Sequence, residues 1–258
     1  MRLEKLQNRA GRLVTGTLFR TPTDKLLLDL GWDRLSTRRR IHKLTLYHAF
    51  SSQEQQMPSY IKNIMPHSRS NNTGRVLRNA STHTMTLSRT TSYHNSFFPL
   101  TAKHWNSLPQ SIRSLPRKSF KKTITERLGV PKPPKFFETG SKMGNTLHTR
   151  IRTGMTHLNS HRFQIQSSET AMCACGHSSE NVRHFILDCP LYRPQRLVMY
   201  QDISYILGIE FKEVSPKQKL NILINGETLD DESGCAVARH FQKFLVKSNR
   251  VHDNQISL

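Results

Sequence analysis

The sequence is short of acid. Its 258 residues hold 18 Asp and Glu against 39 Lys and Arg, so the paired carboxylates used in hydrolytic and nucleotidyl-transfer chemistry have few places to occur. The one acidic cluster, Asp230, Asp231 and Glu232, falls where a helix would begin. Carboxylates there complement the helix dipole and cap free N–H groups. No P-loop, GxSxG or GxGxxG pattern is present. The histidines are scattered, and His42 and His48, six residues apart, do not share a helical face. No nucleophile–base set converges, so no catalytic residue is assigned and the chain is read as not an enzyme by itself.

Other shortages bound the fold and the compartment. Hydrophobic residues make up 35% of the chain, a lean supply that predicts a modest core. No run approaches the ~18 apolar residues of a membrane span, so no membrane partner is expected. The start, "MRLEKLQNRAGRLV", has no apolar stretch of the kind a secretory signal needs. It is basic and amphipathic, as mitochondrial transit peptides are, but Glu4 and the lack of serine argue against that reading. Met1 lies almost inside the first helical pattern, so the N-terminus is expected to be a truncation. Four cysteines, three of them clustered, do not make a disulfide framework. A reducing compartment, nuclear or cytoplasmic, fits better. Alternating apolar and polar residues never persist beyond a few positions, so the expected fold is mainly α.

What the chain has in excess is positive charge. The formal net charge is +21, and residues 1–150 carry 27 Lys/Arg and 7 Asp/Glu, against 12 and 11 in residues 151–258. Charge of that density points to a polyanionic partner, RNA or DNA before an acidic membrane surface. "LEKLQNRAGRLVTG" sets Leu3, Leu6, Ala10, Leu13 and Val14 on one helical face stopped by Gly16. "TPTDKLLLDLGW" reads as a short helix capped by Thr23 and ended by Gly31. "LSTRRRIHKLTLYHAF" is a third helix, with Ile41, Leu44, Thr45 and His48 on one face. Arg38, Arg39, Arg40 and Lys43 crowd its start, where the dipole disfavours cations; this predicts an external anion. Residues 66–96 are polar and aperiodic, a long loop. Further on, Trp105, Leu108 and Ile112 read as core anchors, and "SFKKTITERL" as a basic helix burying Phe120, Ile124 and Leu128. Lys118, Lys121 and Lys122 join the candidate nucleic-acid contacts, as do Arg150 and Arg152.

A Pro/Lys-rich linker at 131–144 separates a basic helical region, 1–130, from a C-terminal domain, 145–258. That domain is predicted helical on both sides of Gly154, with three later helices in "PLYRPQRLVMYQDISYIL", "SPKQKLNILING" and "DDESGCAVARHFQKFLVKSNR". Cys235, on an apolar face of the last, is read as core.

Between them lies "CACGHSSENVRHFILDC", with the spacing Cys173–x–Cys175–x8–His184–x4–Cys189. Clustered Cys and His in a reducing compartment suggest a zinc site, and Gly176 would let the Cys pair bend around one ion. Four protein ligands close the coordination sphere, so such a site is structural rather than catalytic. His177 is a possible substitute ligand. Two features run against this: a single residue between the first two cysteines, and an x4 gap that puts His184 and Cys189 off a common α-helical face unless the helix ends between them. The competing reading has His184 and Cys189 as helix-packing residues and Cys173 and Cys175 as loop thiols.

Several segments, in order, resemble one family. The run "LEKLQNRAGRLVTG…DKLLLDLGWDRLSTRRRIHKLTLYHAF" is similar to the thumb-side helices that follow the polymerase core of jockey-like non-LTR retrotransposon reverse transcriptases. "AKHWNSLPQSIRSLPRKSFKKTI" resembles that family's recurring Trp-Asn-Ser-Leu-Pro stretch, and "LHTRIRTGMTHLNSHRF…CACG…HFILDCPLY" its tail, with a CCHC motif. The paired-aspartate motif that holds the catalytic metals is missing from the first 229 residues, as are recognisable endonuclease and RNase H segments. The resemblance therefore implies a nucleic-acid-binding C-terminal fragment without the polymerase's catalytic residues. The alternatives are a helical protein–protein interaction module or a non-functional remnant of a mobile element.

Overall fold

A computed structural model describes residues 2–52, 57–66, 68, 82–85, 87–133 and 135–251. Among them the fold is mostly helical, with no strand and one isolated antiparallel bridge, Ser68 to His83. Of the predicted 66–96 loop, residues 67, 69–81 and 86 lie outside the described residues, and its end is helical. None of the described helices is long and apolar enough to cross a membrane.

The chain forms two compact units. One joins residues 1–32 to 132–258; the other is 33–131. This differs from the division at 131–144, because the first two helices pack with the C-terminal ones. Helix α1 (Arg2–Thr15) stops where Gly16 turns left-handed, with φ of 63°. Helix α2 (Thr23–Leu30) ends in Gly31, also left-handed. Its cap position is Pro22, with Thr23 already inside the helix.

The inner face of α1 is not the predicted one. Leu3, Leu6, Leu13 and Val14 are 60–73% exposed, whereas Gly11 and Thr15 are buried. A Cβ on Gly11 would meet Leu26 and Leu30 of α2 at 3.2 Å, so the missing side chain lets the two helices close. Polar atoms complete the contact: Arg12 Nη2 donates to Thr21 O at 3.1 Å.

The inserted unit consists of α3 (Leu35–Ser51), α4 (Ser59–Ile64), α5 (Thr91–His94), α6 (Phe97–Asn106), α7 (Gln110–Arg113) and α8 (Arg117–Leu128). Its core gathers Ile41, Leu44 and Tyr47 of α3, Ala102 and Trp105 of α6, and Phe120 and Ile124 of α8. His48 is buried with them, stacked 4.3 Å from the Phe120 ring, its Nε2 bonded to Leu115 O. The Trp-Asn-Ser-Leu-Pro stretch is a packing element: Trp105 and Leu108 are core, and the Asn106 amide brackets the His83 backbone through two 2.9 Å bonds. Asp33 accepts from Val130 N–H at 2.7 Å, which brings the two ends of the unit together.

The larger unit resumes with α9 (Lys142–Thr153), which begins inside the predicted linker, and α10 (Asn159–Gln164) on the other side of left-handed Gly154. Helices α11 (Arg193–Leu207), α12 (Pro216–Asn225) and α13 (Asp231–Ser248) follow. Their core includes Leu147 and Ile151, Phe185 and Ile186, Met199 and Ile203, Leu223, and Phe241, Phe244 and Leu245. Asp230 caps α13, accepting from Glu232 and Ser233 N–H at 3.0 Å each, as the acidic cluster predicts. Cys235 is half-buried rather than part of that core.

His148, on α9, is fully enclosed; its Nε2–H donates to Ile224 O at 3.0 Å. Burial pushes its pKa down to about 3. The folded state therefore favours the neutral ring more strongly than the unfolded chain does, and this contribution is complete above pH ~6.5. Acid removes it as pH falls from there toward 3, by up to ~1.4 kcal/mol per pH unit. A His148→Gln chain should lose less stability on acidification than the wild type, measured by chemical denaturation at pH 7 and pH 5. Parallel losses would refute this.

Candidate metal centre

The cysteine segment is built on a tight loop. Cys173 N–H donates to His177 O, and Gly176 N–H returns to Cys173 O, each at 2.9 Å. Gly176 sits at φ of 90° with open space around it, a conformation L side chains rarely adopt. Glu180 N–H closes the loop on Ala171 O at 2.8 Å. Asn181 then starts a helical turn, its Oδ1 accepting from His184 N–H at 2.9 Å.

His184–Asp188 is a π-helical turn, closed by Cys189 N–H donating to His184 O at 2.7 Å. A π-turn bonds residues five apart, and such turns recur at functional sites. Here it brings His184 and Cys189, five apart in sequence, to one side. The helix does end there, since Cys189 is extended and Pro190 follows. Arg196 of α11, buried, donates to the carbonyls of Ile186 and Cys189 at 2.7 Å each and of Phe185 at 3.3 Å. It thereby satisfies acceptors that an α-helical ladder would otherwise have taken.

Cys173, Cys175, His184 and Cys189 bring four ligand atoms within 4.8 Å of one another, the one such Cys/His/acid group among the described residues. Cys173 and Cys189 Sγ are 3.7 Å apart, and Cys175 Sγ is 3.3 Å from His184 Nε2. Tetrahedral coordination at thiolate and imidazole bond lengths requires edges of about 3.5–3.8 Å. The Cys173–Cys189 edge falls in that range and the Cys175–His184 edge is slightly shorter, so with small side-chain shifts the group could hold a metal ion. Burial raises Cys173 to about 12 and also raises Cys189, while the backbone N–H of His177 favours the Cys175 thiolate. A divalent cation would replace the two protons that burial holds in place. His177 stays outside the group: its ring stacks 4.1 Å from His184, and its Nδ1 accepts from Ser179 N–H at 3.2 Å.

Sequence reasoning missed the support around the ligands. Glu180 is 2% exposed. Its carboxylate pairs with Arg250, whose Nε donates to Oε1 at 2.7 Å and whose Nη2 donates to Oε2. Oε2 also accepts from Asn159 N–H at 2.8 Å, and Oε1 lies 3.8 Å from Cys173 Sγ. Glu180 is the lone acid between Cys173 and His184, which is the only signal the sequence offers. Nothing local announces Arg250, seventy residues on.

The predicted nucleic-acid contacts divide by unit. Arg38 and Arg39 on α3, and Lys118, Lys121 and Lys122 on α8, are exposed; Arg40 and Lys43 are half-buried. Arg150 and Arg152 are not phosphate contacts but internal clamps. Arg150 is buried and donates to Val251 O and Gly16 O at 3.0 Å each. Arg152 pairs with buried Asp29 and donates to Ile224 O at 2.8 Å. Two residues apart on α9, they point to different sides of it, which places one toward the end of α1 and the other toward α2 and α12. Compared with known proteins, the chain significantly matches no family model, no curated protein and no solved structure.

Proposed function

We propose that this chain is a non-catalytic nucleic-acid-binding protein, corresponding to the C-terminal end of a jockey-like retrotransposon reverse transcriptase, in which one zinc ion on Cys173, Cys175, His184 and Cys189 has a structural role. The observation that carries the binding function is where the charge lies. Residues 33–131 hold 17 Lys/Arg and 3 Asp/Glu, which is +14 of the chain's +21. In the other unit several arginines are engaged internally: Arg150, Arg152, Arg196 and Arg250 all bond buried or backbone acceptors. The ordered sequence segments support the origin. The three-sulfur, one-nitrogen donor set supports zinc over harder divalent ions, which prefer oxygen.

Binding of this kind is carried by phosphates and releases counterions, so it weakens steeply with salt. Anisotropy titrations of labelled DNA and RNA should give log K falling linearly with log salt concentration. Replacing Lys118, Lys121 and Lys122 together with alanine should reduce that slope by about 2–3, at ~0.7–0.9 for each phosphate no longer neutralised. Affinity that is insensitive to salt would remove the proposal.

One observation favours a second reading. The outward apolar residues of α1, Leu3, Leu6, Leu13 and Val14, suit a protein-interaction module. Association with a partner that persists after nuclease treatment and is lost in Leu6→Asp would favour it.

A further inference from the structure

Phe19 lies in the turn between α1 and α2 and is 88% exposed. A lone apolar side chain in water needs no explanation, but this one is neither lone nor loose. It borders an open groove of about 650 Å³ that it shares with Leu13, itself 73% exposed. The Arg12 guanidinium lies 5.6 Å from the centre of its ring, a cation–π contact. Arg12 is anchored in turn, donating to Thr21 O at 3.1 Å and to Asn8 O at 3.4 Å. An exposed aromatic ring is thus held at the edge of a recess, and most of its surface is open.

The same groove is lined by Lys5, Arg9 and Arg12 of α1. Their spacing of four and then three residues puts them on one side of the helix. Lys5 and Arg9 are exposed, whereas Arg12 is half-buried beneath the ring it holds. From Lys5 to Arg12 the helix rises ~10 Å, the length of about three nucleotides of one strand at ~3.4 Å each. Among the described residues no carboxylate lines the groove; Glu4 of α1 and Asp24 of α2 lie outside the lining. A line of cations beside an open aromatic face is how proteins hold unpaired strands. The cations follow the phosphates, and the ring stacks on a base.

We propose that this groove binds single-stranded nucleic acid, with a base stacked on Phe19 and the phosphates running along Lys5 and Arg9. The proposal rests on the nucleic-acid reading given above and adds to it a seat on the larger unit that selects unpaired strands. In a duplex both faces of each base are covered by its neighbours, so Phe19 has nothing to stack on. The groove is of a size to admit a base with its sugar. An acidic lipid surface would also attract cations and apolar side chains. It would meet the outward ridge of Leu3, Leu6 and Val14, which lie outside the groove lining, rather than a recess.

The test uses the full chain, a single-stranded pyrimidine oligonucleotide and the same sequence as a duplex. By anisotropy, Phe19→Ala should weaken single-strand binding about tenfold, the scale of one lost stacking contact, and leave duplex binding as in the wild type. The salt dependence should not change, because no phosphate contact is removed. Arg9→Ala should behave differently, lowering the single-strand salt slope by ~0.7. Phe19→Trp should restore the affinity, and its added indole emission should be quenched by the strand and not by the duplex. Circular dichroism checks that each variant folds. Equal loss on strand and duplex in Phe19→Ala, or no loss on either, overturns the inference and leaves nucleic-acid binding standing. If the wild type binds neither, both fail. Sedimentation with phosphatidylserine vesicles provides the remaining arm: vesicle binding that needs Phe19, with strand binding unchanged in Phe19→Ala, would give the groove to a lipid surface and overturn the proposal.

Discussion

Cys189→Ser is expected to abolish stoichiometric zinc binding and to destabilise the larger unit by several kcal/mol. The sulfur is fully buried, 3.7 Å from Cys173 Sγ. Its residue follows the π-turn directly, and its neighbours Phe185 and Ile186 belong to the main core. Structural zinc contributes roughly 10–16 kcal/mol of binding free energy in small zinc domains, and that energy is folding energy where the site is absent from the unfolded chain. A larger hydrophobic core dilutes the share, so a loss of ~3–5 kcal/mol is the more modest expectation. A serine hydroxyl in place of the thiolate adds a buried polar group without a metal to satisfy it. The measurement is zinc per chain by elemental analysis, together with thermal melts with and without chelator. Chelation should lower the wild-type melting temperature and leave Cys189→Ser unmoved. Cys235→Ser, on α13 and outside the ligand group, should retain the metal. A wild-type chain that holds no zinc and melts identically with chelator would sink the prediction.

The second large effect lies in the outer support of the same centre. Arg250→Ala is expected to cost about 3–5 kcal/mol, because it strands a buried carboxylate without its partner. Glu180 faces Cys173 Sγ at 3.8 Å. Without the guanidinium, a carboxylate and a metal-bound thiolate would be left side by side in a low-dielectric setting. Zinc affinity should therefore fall as well, by the 10- to 100-fold typical of lost outer-shell partners. Arg250→Ala combined with Glu180→Gln should recover part of both losses, since removing both charges costs less than orphaning one. A single variant as stable as the wild type, or a double variant worse than the single, would contradict the account. Denaturant titration and competitive zinc titration supply the two readouts.

Much of this was legible in the sequence. The four-residue spacing of Phe120, Ile124 and Leu128 fixes a helix that buries them fully or in part. Gly16, Gly31 and Gly154 mark helix ends because the chain must turn left-handed there. The four residues that could hold a metal, Cys173, Cys175, His184 and Cys189, were legible because three sulfurs and an imidazole seldom cluster so closely in sequence without that role. What failed to show was whatever depends on partners distant in sequence. Leu3, Leu6 and Leu13 look like a core face because periodicity reports amphipathicity, not which side is covered. The packing of α1 was decided by an absence, the missing side chain of Gly11. Arg150 and Arg152 look like phosphate contacts because an arginine's charge is visible in sequence and its carbonyl acceptors, at Gly16, Ile224 and Val251, are not. The His184–x4–Cys189 gap seemed wrong for a shared face because an α-helical repeat was assumed; a π-turn has a different one.

The interruption of the larger unit by residues 33–131 sets a timetable for a chain that emerges from a ribosome N-terminus first. Helices α1 and α2 are complete by Leu30, but α9, on which both pack, begins at Lys142. At ~5–20 residues per second, the first two helices wait roughly 6–20 s for their partner. The inserted unit, whose ends meet through Asp33 and Val130, can gather its own core within that interval. Helices α1 and α2, made before the other described helices, are thus among the last of them to find their place, and until then Leu26 and Leu27 of α2, buried in the finished fold, are open to chaperones.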